Sequence, residues 1–433
     1  MHYDSQLAFK SHKHQEQYQD AAFVALINYL AQNSPYYKRI FAEHNIDTAS
    51  VTGKAQLNWF PTTSKSDLQQ HNWEFLCVKD SAIREYTATS GTMGKPVTIA
   101  LTENDLRRLA FNEKESFLCA GGKQGDIFQL MLTLDRRFMA GIAYYSGARE
   151  LGAAVVRSGP GMPEMQWEQI MQLQTTTLVA VPSFIARLID YALANNIDLK
   201  QTPVSSAICI GENIRTSNLE LNALGSYINQ HWPIRLHSTY ASTEMQTAFT
   251  ECEHGVGGHL QPALLIVEIL DDRGTQVKPG EMGEVTITTL GVEGMPLLRY
   301  RTGDIATYYD SPCKCGRNSI RLSPVVGRKQ QMLKFKGTTL YPPSLFDVLA
   351  GIEGVTDYVV EAYSGAMATD ELRIHVVAKK ADADTTAAIK AAMNSRLRVT
   401  PEIVFTDADQ LAKLQNVGGG RKLTRFLDNR NDY

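Results

Sequence analysis

The sequence predicts an α/β protein in which a large N-terminal α/β domain, with a parallel sheet and an added β subdomain, precedes a small α+β domain. Three observations predict it. Between Ile83 and about Tyr240, β-rich runs (FQLMLTL, AAVVR, TLVAV, SAICI) alternate with helical stretches (ALTENDLRRLAFNEKESF, PSFIARLIDYALANN), as repeated βα units do. From Ala263 the pattern becomes strand, turn, strand (ALLIVEIL, DDRGTQVKPGEMGE, VTITTL), which predicts an antiparallel section. Past Gly327, short strands (YVVEAY, ELRIHVVA) surround helices (PPSLFDVLAGI, DTTAAIKAAMNSRL), enough for a small domain of about 100 residues.

Taken in order, the first element is a helix over 15–31, where Ala21, Ala22, Val24, Ala25, Ile27 and Leu30 recur at helical spacing. The βα units and the β subdomain follow. A linker near Val326 divides the chain into domains 1–326 and 327–433, in keeping with 433 residues being too many for one ordinary core. Near the end, Gly418-Gly419-Gly420 reads as a flexible loop.

With 43 Lys+Arg against 46 Asp+Glu, a net charge of -3 and no basic run, the chain lacks the footprint of a nucleic-acid binder. The polar N-terminus and the absence of an apolar stretch of bilayer length predict no membrane partner and a cytoplasmic protein. Six cysteines in such a length are no disulfide framework, and only Cys313 and Cys315 cluster locally. Small molecules are the expected partners.

The first chemical motif is Thr89-Ser90-Gly91-Thr92-Met93-Gly94-Lys95-Pro96. Glycines let backbone N–H groups approach oxyanions, hydroxyls add donors, and Lys95 adds a mobile positive charge. It is not a Walker loop, because Thr89 stands where that motif needs Gly and Pro96 follows the lysine. A solvated turn is the plain alternative. Downstream, in order, come Gly211-Glu212, Tyr240-Ala241-Ser242-Thr243-Glu244, Tyr300-Arg301-Thr302-Gly303-Asp304, Gly327-Arg328 and Lys422. Together with Ser34-Pro35-Tyr36-Tyr37 and the run Phe60-Pro61-Thr62-Thr63-Ser64-Lys65-Ser66-Asp67-Leu68, this series resembles the phenylacetate–CoA ligase branch of the adenylate-forming superfamily. That superfamily includes acyl-CoA synthetases, luciferases and peptide-synthetase adenylation domains. The resemblance runs from about Ser34 to the C-terminus.

Each motif suits adenylation. Tyr240 offers a flat face for adenine, Thr243 a hydroxyl for the α-phosphate, and Glu244 a hard oxygen ligand for Mg2+. The Asp304 carboxylate suits two ribose hydroxyls, and Arg299 and Arg301 are expected beside an anionic nucleotide. Gly211 and Glu212 end the strand SAICI, at the edge where open α/β sheets place ligands. By resemblance, Ala241, Ser242 and Arg328 join the ATP/AMP site with Thr89, Ser90, Gly91, Thr92, Gly94 and Lys95. Resemblance also sets Tyr144, Tyr145 and Ala241 at the acyl pocket, makes Gln330 the hinge of a mobile C-terminal lid, and gives Lys422 the bridge between carboxylate and α-phosphate. Three positions depart from the family pattern. Met93 stands for threonine, Gln330 for Asp or Lys, and Arg421 for the glycine before the lysine.

Cys313-Lys314-Cys315-Gly316 is a tight thiol pair, and the segment from Cys252 to His259 supplies two more soft ligands, which together suit tetrahedral Zn2+. Separate buried thiols and exposed histidines are the alternative. The grouping also occurs in the resembled branch, which implies a structural zinc held by Cys252, His259, Cys313 and Cys315, with His254 in reserve. Cys77, Cys119 and Cys209 read as core. The resemblance implies ATP-dependent activation of a carboxylic acid, aromatic or arylacetic, through an acyl-adenylate, followed by transfer to coenzyme A. An adenylating enzyme with a different acceptor (a carrier-protein thiol, an amine or an alcohol) and a non-catalytic nucleotide sensor stay open, as does a homodimer.

Overall fold

The computed structural model describes residues 3–89, 96–335, 338–364, 370–416 and 424–430. The chain divides into two compact units. The first comprises Met1–Glu220, Tyr227–Thr302 and Ala306–Val325, and the second Leu221–Ser226, Gly303–Ile305 and Val326–Tyr433.

In the first unit, helices α1 (His12–Asn33), α2 (Pro35–Glu43) and α3 (Lys65–Gln70) precede an antiparallel hairpin, β1 (Ile83–Ala88) and β2 (Thr98–Thr102). Helix α4 (Glu103–Cys119) starts where the Thr102 hydroxyl caps the backbone of Asp105 and the Asp105 carboxylate returns the bond. Alternating strands and helices follow: β3 (Ile127–Leu130), α5 (Met139–Leu151), β4 (Ala154–Val156), α6 (Pro163–Leu173), β5 (Thr177–Ala180), α7 (Pro182–Ala194) and β6 (Ser206–Ile210). Every residue of β5 and β6 is buried, as expected of parallel strands covered on both faces. After α8 (Ala223–His231) come β7 (Arg235–Ser242), β8 (Thr247–Glu251), β9 (Gly258–His259), β10 (Leu265–Leu270), β11 (Met282–Thr289), β12 (Tyr300–Tyr309) and β13 (Arg321–Leu322).

These strands form one sheet in the order β10-β11-β12-β13-β9-β8-β7-β6-β5-β3-β4. Strand β7 runs parallel to β6 and antiparallel to β8, so the parallel half of the sheet ends there. The helix expected over 15–31, the parallel strands and the antiparallel pair β10/β11 are all present. Buried Phe23, Ile27, Leu30, Phe60 and Phe75 join Ile99, Leu265 and Ile287 in one core, which ties the N-terminal helices to the sheet. Each such side chain is worth about 1.5–3 kcal/mol when fully buried.

In the second unit, β14 (Gly327–Arg328) pairs with Asp304 and Ile305, and β15 (Leu333–Phe335) pairs with β16 (Thr338–Leu340). After α9 (Pro342–Ala350), strands β17 (Val355–Ser364), β18 (Asp370–Ala378), β19 (Glu402–Phe405) and β20 (Phe426–Asn429) form a sheet in the order β19-β18-β17-β20. Helices α9, α10 (Ala383–Leu397) and α11 (Ala408–Gln415) accompany it, and Leu345, Leu349, Val360, Ile374, Ile389 and Met393 make its core. Among the described residues no helix is long and apolar enough to cross a membrane.

Candidate functional site

The glycine-rich loop joins β1 to β2. Its mouth is closed by Thr89, whose backbone N–H donates to the Val97 carbonyl at 3.0 Å while its hydroxyl accepts from the Val97 N–H at 3.0 Å. Thr89 is buried, and its hydroxyl is committed to Val97. Ser90, Gly91, Thr92, Gly94 and Lys95 lie outside the described residues, as does Lys422.

Residues 240–244 span the carboxyl end of β7, where the sheet changes from parallel to antiparallel. Crevices that take ligands open at such edges. Ala241 is exposed, and Tyr240, Ser242, Thr243 and Glu244 are half-buried. The Tyr240 ring stacks on Phe249, its register partner in β8, with centroids 5.9 Å apart. The Ser242 hydroxyl accepts from the Met245 N–H at 3.2 Å and turns the chain. Gly211 ends β6 with a φ of 75°, a left-handed conformation that favours glycine. The Glu212 carboxylate accepts from both the backbone N–H and the hydroxyl of Ser183 at 3.0 Å, and so caps the first turn of α7.

Asp304 and Arg328 sit in the second unit and face each other across β12 and β14, with Nε 3.4 Å from the carboxylate. Gln330 lies in a single 3₁₀ turn, and its carbonyl accepts from the Arg430 guanidinium at 3.2 Å. Arg299 and Arg301, expected beside a nucleotide, both have carboxylate partners within the protein. Arg299 is buried and forms a two-bond pair with Glu268, at 3.0 and 2.8 Å, while Arg301 donates to Glu284 at 2.9 Å. Carboxylates from β10 and β11 thus neutralise both guanidinium groups, which serve the sheet.

Tyr144 and Tyr145 part company, because neighbours on a helix point about 100° apart. Tyr144 is fully buried against Phe117, Phe128 and Leu130. Tyr145 is half-buried, with the guanidinium groups of Arg149 and Arg157 each 5.6 Å from its ring centre.

Cys252, His259, Cys313 and Cys315 converge, their ligand atoms all within 4.8 Å of one another. The Cys252 and Cys313 sulfurs are 3.7 Å apart, and His259 Nε2 is 3.5 Å from the Cys315 sulfur. A tetrahedral zinc with ordinary bond lengths sets sulfurs about 3.8 Å apart and a sulfur and nitrogen about 3.6 Å apart. The donor set therefore fits the ion. His259 is held between β8 and β13, and Gly316, at a φ of 89°, turns the Cys313–Cys315 knuckle. Burial, followed by the nearby Arg317, Arg321 and His254 charges, depresses the His259 pKa to about 3, which keeps the imidazole neutral. Although burial alone would raise the Cys315 thiol, bonds from Arg317 pull it below its usual value. His254 is outside the convergent set. Cys119 is buried as core residues are, yet it packs against Cys252 and Cys313.

The family described as AMP-binding enzyme matches residues 20–294, more than half of the sequence. The chain belongs to the AMP-binding enzyme family. This AMP-binding enzyme is 28% identical to a phenylacetate–coenzyme A ligase of Thermus thermophilus over 83% of its own length and 80% of that protein's. It is 26% identical to a phenylacetate–coenzyme A ligase of Escherichia coli, over 76% and 74% of the two chains. A crystal structure of 2-hydroxyisobutyryl-CoA ligase, in its postadenylation state with an acyl-AMP, has the same fold. The TM-score is 0.84, with 18% identity, covering 98% of this chain and 91% of that one.

Sequence reading missed the buried polar face of α4 in this AMP-binding enzyme. Fully buried Arg108 donates to the carbonyls of Leu290, Gln246 and Leu264 and to the Thr247 hydroxyl. It thereby holds the turn that follows Glu244. Asn112 accepts from the Ala248 N–H at 3.3 Å, and Glu113 lies next to it. In the sequence these residues belong to a stretch readable only as helical, and no local signal marks them as buried.

Proposed function

We propose that this enzyme activates an aromatic or arylacetic acid with Mg-ATP as the acyl-adenylate and passes the acyl group to coenzyme A. The observation that carries the proposal is the half-buried Tyr240-to-Glu244 segment at the carboxyl end of β7 in a member of the AMP-binding family. The relatives named phenylacetate–coenzyme A ligase support the choice of acid and acceptor. In the first step a carboxylate oxygen bonds to the α-phosphorus as the bond to the β-phosphate oxygen breaks and pyrophosphate leaves. In the second, the thiol sulfur bonds to the acyl carbon, AMP leaves, and the thiol proton passes to solvent.

The protein supplies positioning and charge neutralisation. In this reading Thr243 donates to the α-phosphate and Glu244 offers its carboxylate to Mg2+. Tyr240, Gly211 and Glu212 line the adenine, with the carboxylate of Glu212 spoken for by Ser183. Asp304 and Arg328 serve the nucleotide, Lys422 the α-phosphate, and residues 90–95 the outer phosphates. Residues 1–326 carry the ATP and acyl sites, and 327–433 form a lid with its hinge at Gln330. Tyr144, Tyr145 and Ala241 line the acyl pocket. Cys252, His259, Cys313 and Cys315 hold a structural Zn2+, and reduced thiols fit a cytoplasmic setting.

Pyrophosphate exchange into ATP over a panel of carboxylates tests the first step, and addition of coenzyme A tests the second. We expect exchange with arylacetic acids and acyl-CoA on addition of the thiol. Exchange without acyl-CoA would point to another acceptor, and no exchange with any acid to a nucleotide sensor.

A further inference from the structure

We propose that Glu113 selects the acid, by hydrogen bonding through its unpartnered carboxyl oxygen to a hydroxyl or amino substituent on the ring, remote from the reacting carboxylate. The inference rests on the reading above that the acyl pocket lies by Tyr144 and Ala241.

Glu113 is buried on α4, and one of its oxygens accepts from the Asn112 amide at 3.0 Å. The other is buried and has no hydrogen-bond partner among the described residues. Buried polar atoms are nearly always paired, so an orphan acceptor or donor needs a reason beyond packing. A leucine would fill the same space without a desolvation cost.

Its surroundings supply the reason. Helices α4 and α5 touch at this point, since a Cβ added to Gly147 would come 2.3 Å from the Cβ of Glu113. Tyr144 precedes Gly147 by one helical turn, near enough for a Glu113 charge to raise the phenol pKa further. On the other side, Asn112 holds the Ala248 N–H, and Ala248 is the register partner of Ala241. The carboxyl thus lies between α5 and the β7/β8 pair, the two elements that carry Tyr144 and Ala241. One turn back along α4, Arg108 holds the backbone of Gln246, whose buried side-chain amide also lacks partners among the described residues. Burial pushes the Glu113 pKa up to about 8, against a pull downward from Asn112. At neutral pH it is therefore mainly a carboxylic acid, able to donate as well as accept. Hydroxyl and amino groups have the same dual capacity, and an unsubstituted phenyl ring has neither.

Sites built to bond a substrate hydroxyl or amine discriminate strongly against the analogue lacking it. The test is pyrophosphate exchange by the full chain with phenylacetate and its ring-hydroxylated and ring-aminated isomers, in the wild type, Glu113→Gln and Glu113→Leu. In the wild type, kcat/KM for one substituted isomer should exceed that for phenylacetate by at least about tenfold. Glu113→Leu should reduce that ratio by about tenfold or more, and Glu113→Gln, which keeps a donor and an acceptor, should largely preserve it. Circular dichroism melts establish that each variant is folded, and Glu113→Gln carries the test if the leucine variant is not. Then a ratio carried over to other donor-bearing isomers supports the inference, and an unselective wild type overturns it. Equal loss with every acid in Glu113→Leu would reduce Glu113 to a packing residue and also overturn it. Exchange with no acid at all would instead overturn the adenylation reading on which it stands.

Discussion

At the scale of single residues, Lys422 and Glu113 make opposite demands on electrostatics. In the proposed mechanism a cation at Lys422 offsets the charge that builds when carboxylate and α-phosphate meet, so Lys422→Ala should slow acyl-adenylate formation by about 10²–10³, the usual effect of losing one transition-state donor. Thioester formation from presynthesised acyl-adenylate should fall far less, and equal loss in both half-reactions would refute the assignment. Glu113 is a buried acid whose pKa rises from 4.5 unfolded to about 8 folded. The unfolded chain releases this proton first as pH rises, so the wild type loses stability between about pH 4.5 and 8. Glu113→Gln has no proton to release. Its melting temperature relative to the wild type should therefore increase across that window and level off above it, and a difference independent of pH would show that Glu113 is ionised throughout. Neither the burial of Glu113 nor the pairing of Arg299 and Arg301 was legible in the sequence. Their environments come from β10, β11 and α5, which are distant along the chain, whereas local patterns report only on neighbours.

Among the elements, the thiol knuckle shows how a weakly structured segment is fixed. Strands β9 and β13 are two residues each, too short to hold one another by backbone bonds alone, and His259 in β9 and the three cysteines before the strands bring four soft donors together there. Metal binding adds stability outright where ligands are brought together from separate segments. Protein purified without a histidine tag should contain about one zinc per chain, by metal analysis. Cys313→Ser should lose the metal and lower the melting temperature, as should treatment with a strong chelator. Protein that is metal-free under non-chelating conditions and no less stable would sink the assignment. The soft donors were legible from spacing, in the Cys-Lys-Cys-Gly run and a second Cys/His segment, while the choice of four came from the family resemblance. What spacing could not decide was His259 against His254, which the pairing of β9 with both neighbours resolves.

For the whole molecule, the alternation of strand and helix carried most of the fold, because parallel strands buried on both faces leave unmixed apolar runs such as those of β5 and β6. The ordered motifs were legible because their residue types follow from chemistry more than from packing. The links from the N-terminal segment to the far end of the first unit were not legible. The Asn318 backbone and side chain donate to the carbonyls of Ala8 and Phe9, and the Arg317 guanidinium lies 4.7 Å from the Phe9 ring centre. Further along, the Gln19 amide reaches the carbonyls of Pro262 and Leu265, and the Tyr29 hydroxyl that of Glu293. During synthesis the chain grows from its N-terminus at about 5–20 residues per second. Helix α1 thus meets α2 and Phe60 soon after it is made, whereas its tie through Gln19 to Leu265 waits for some 230 residues beyond the helix. The N-terminal helices therefore pack on one another well before the sheet that completes their core exists, and for that interval their remaining apolar surface is a natural client for a chaperone.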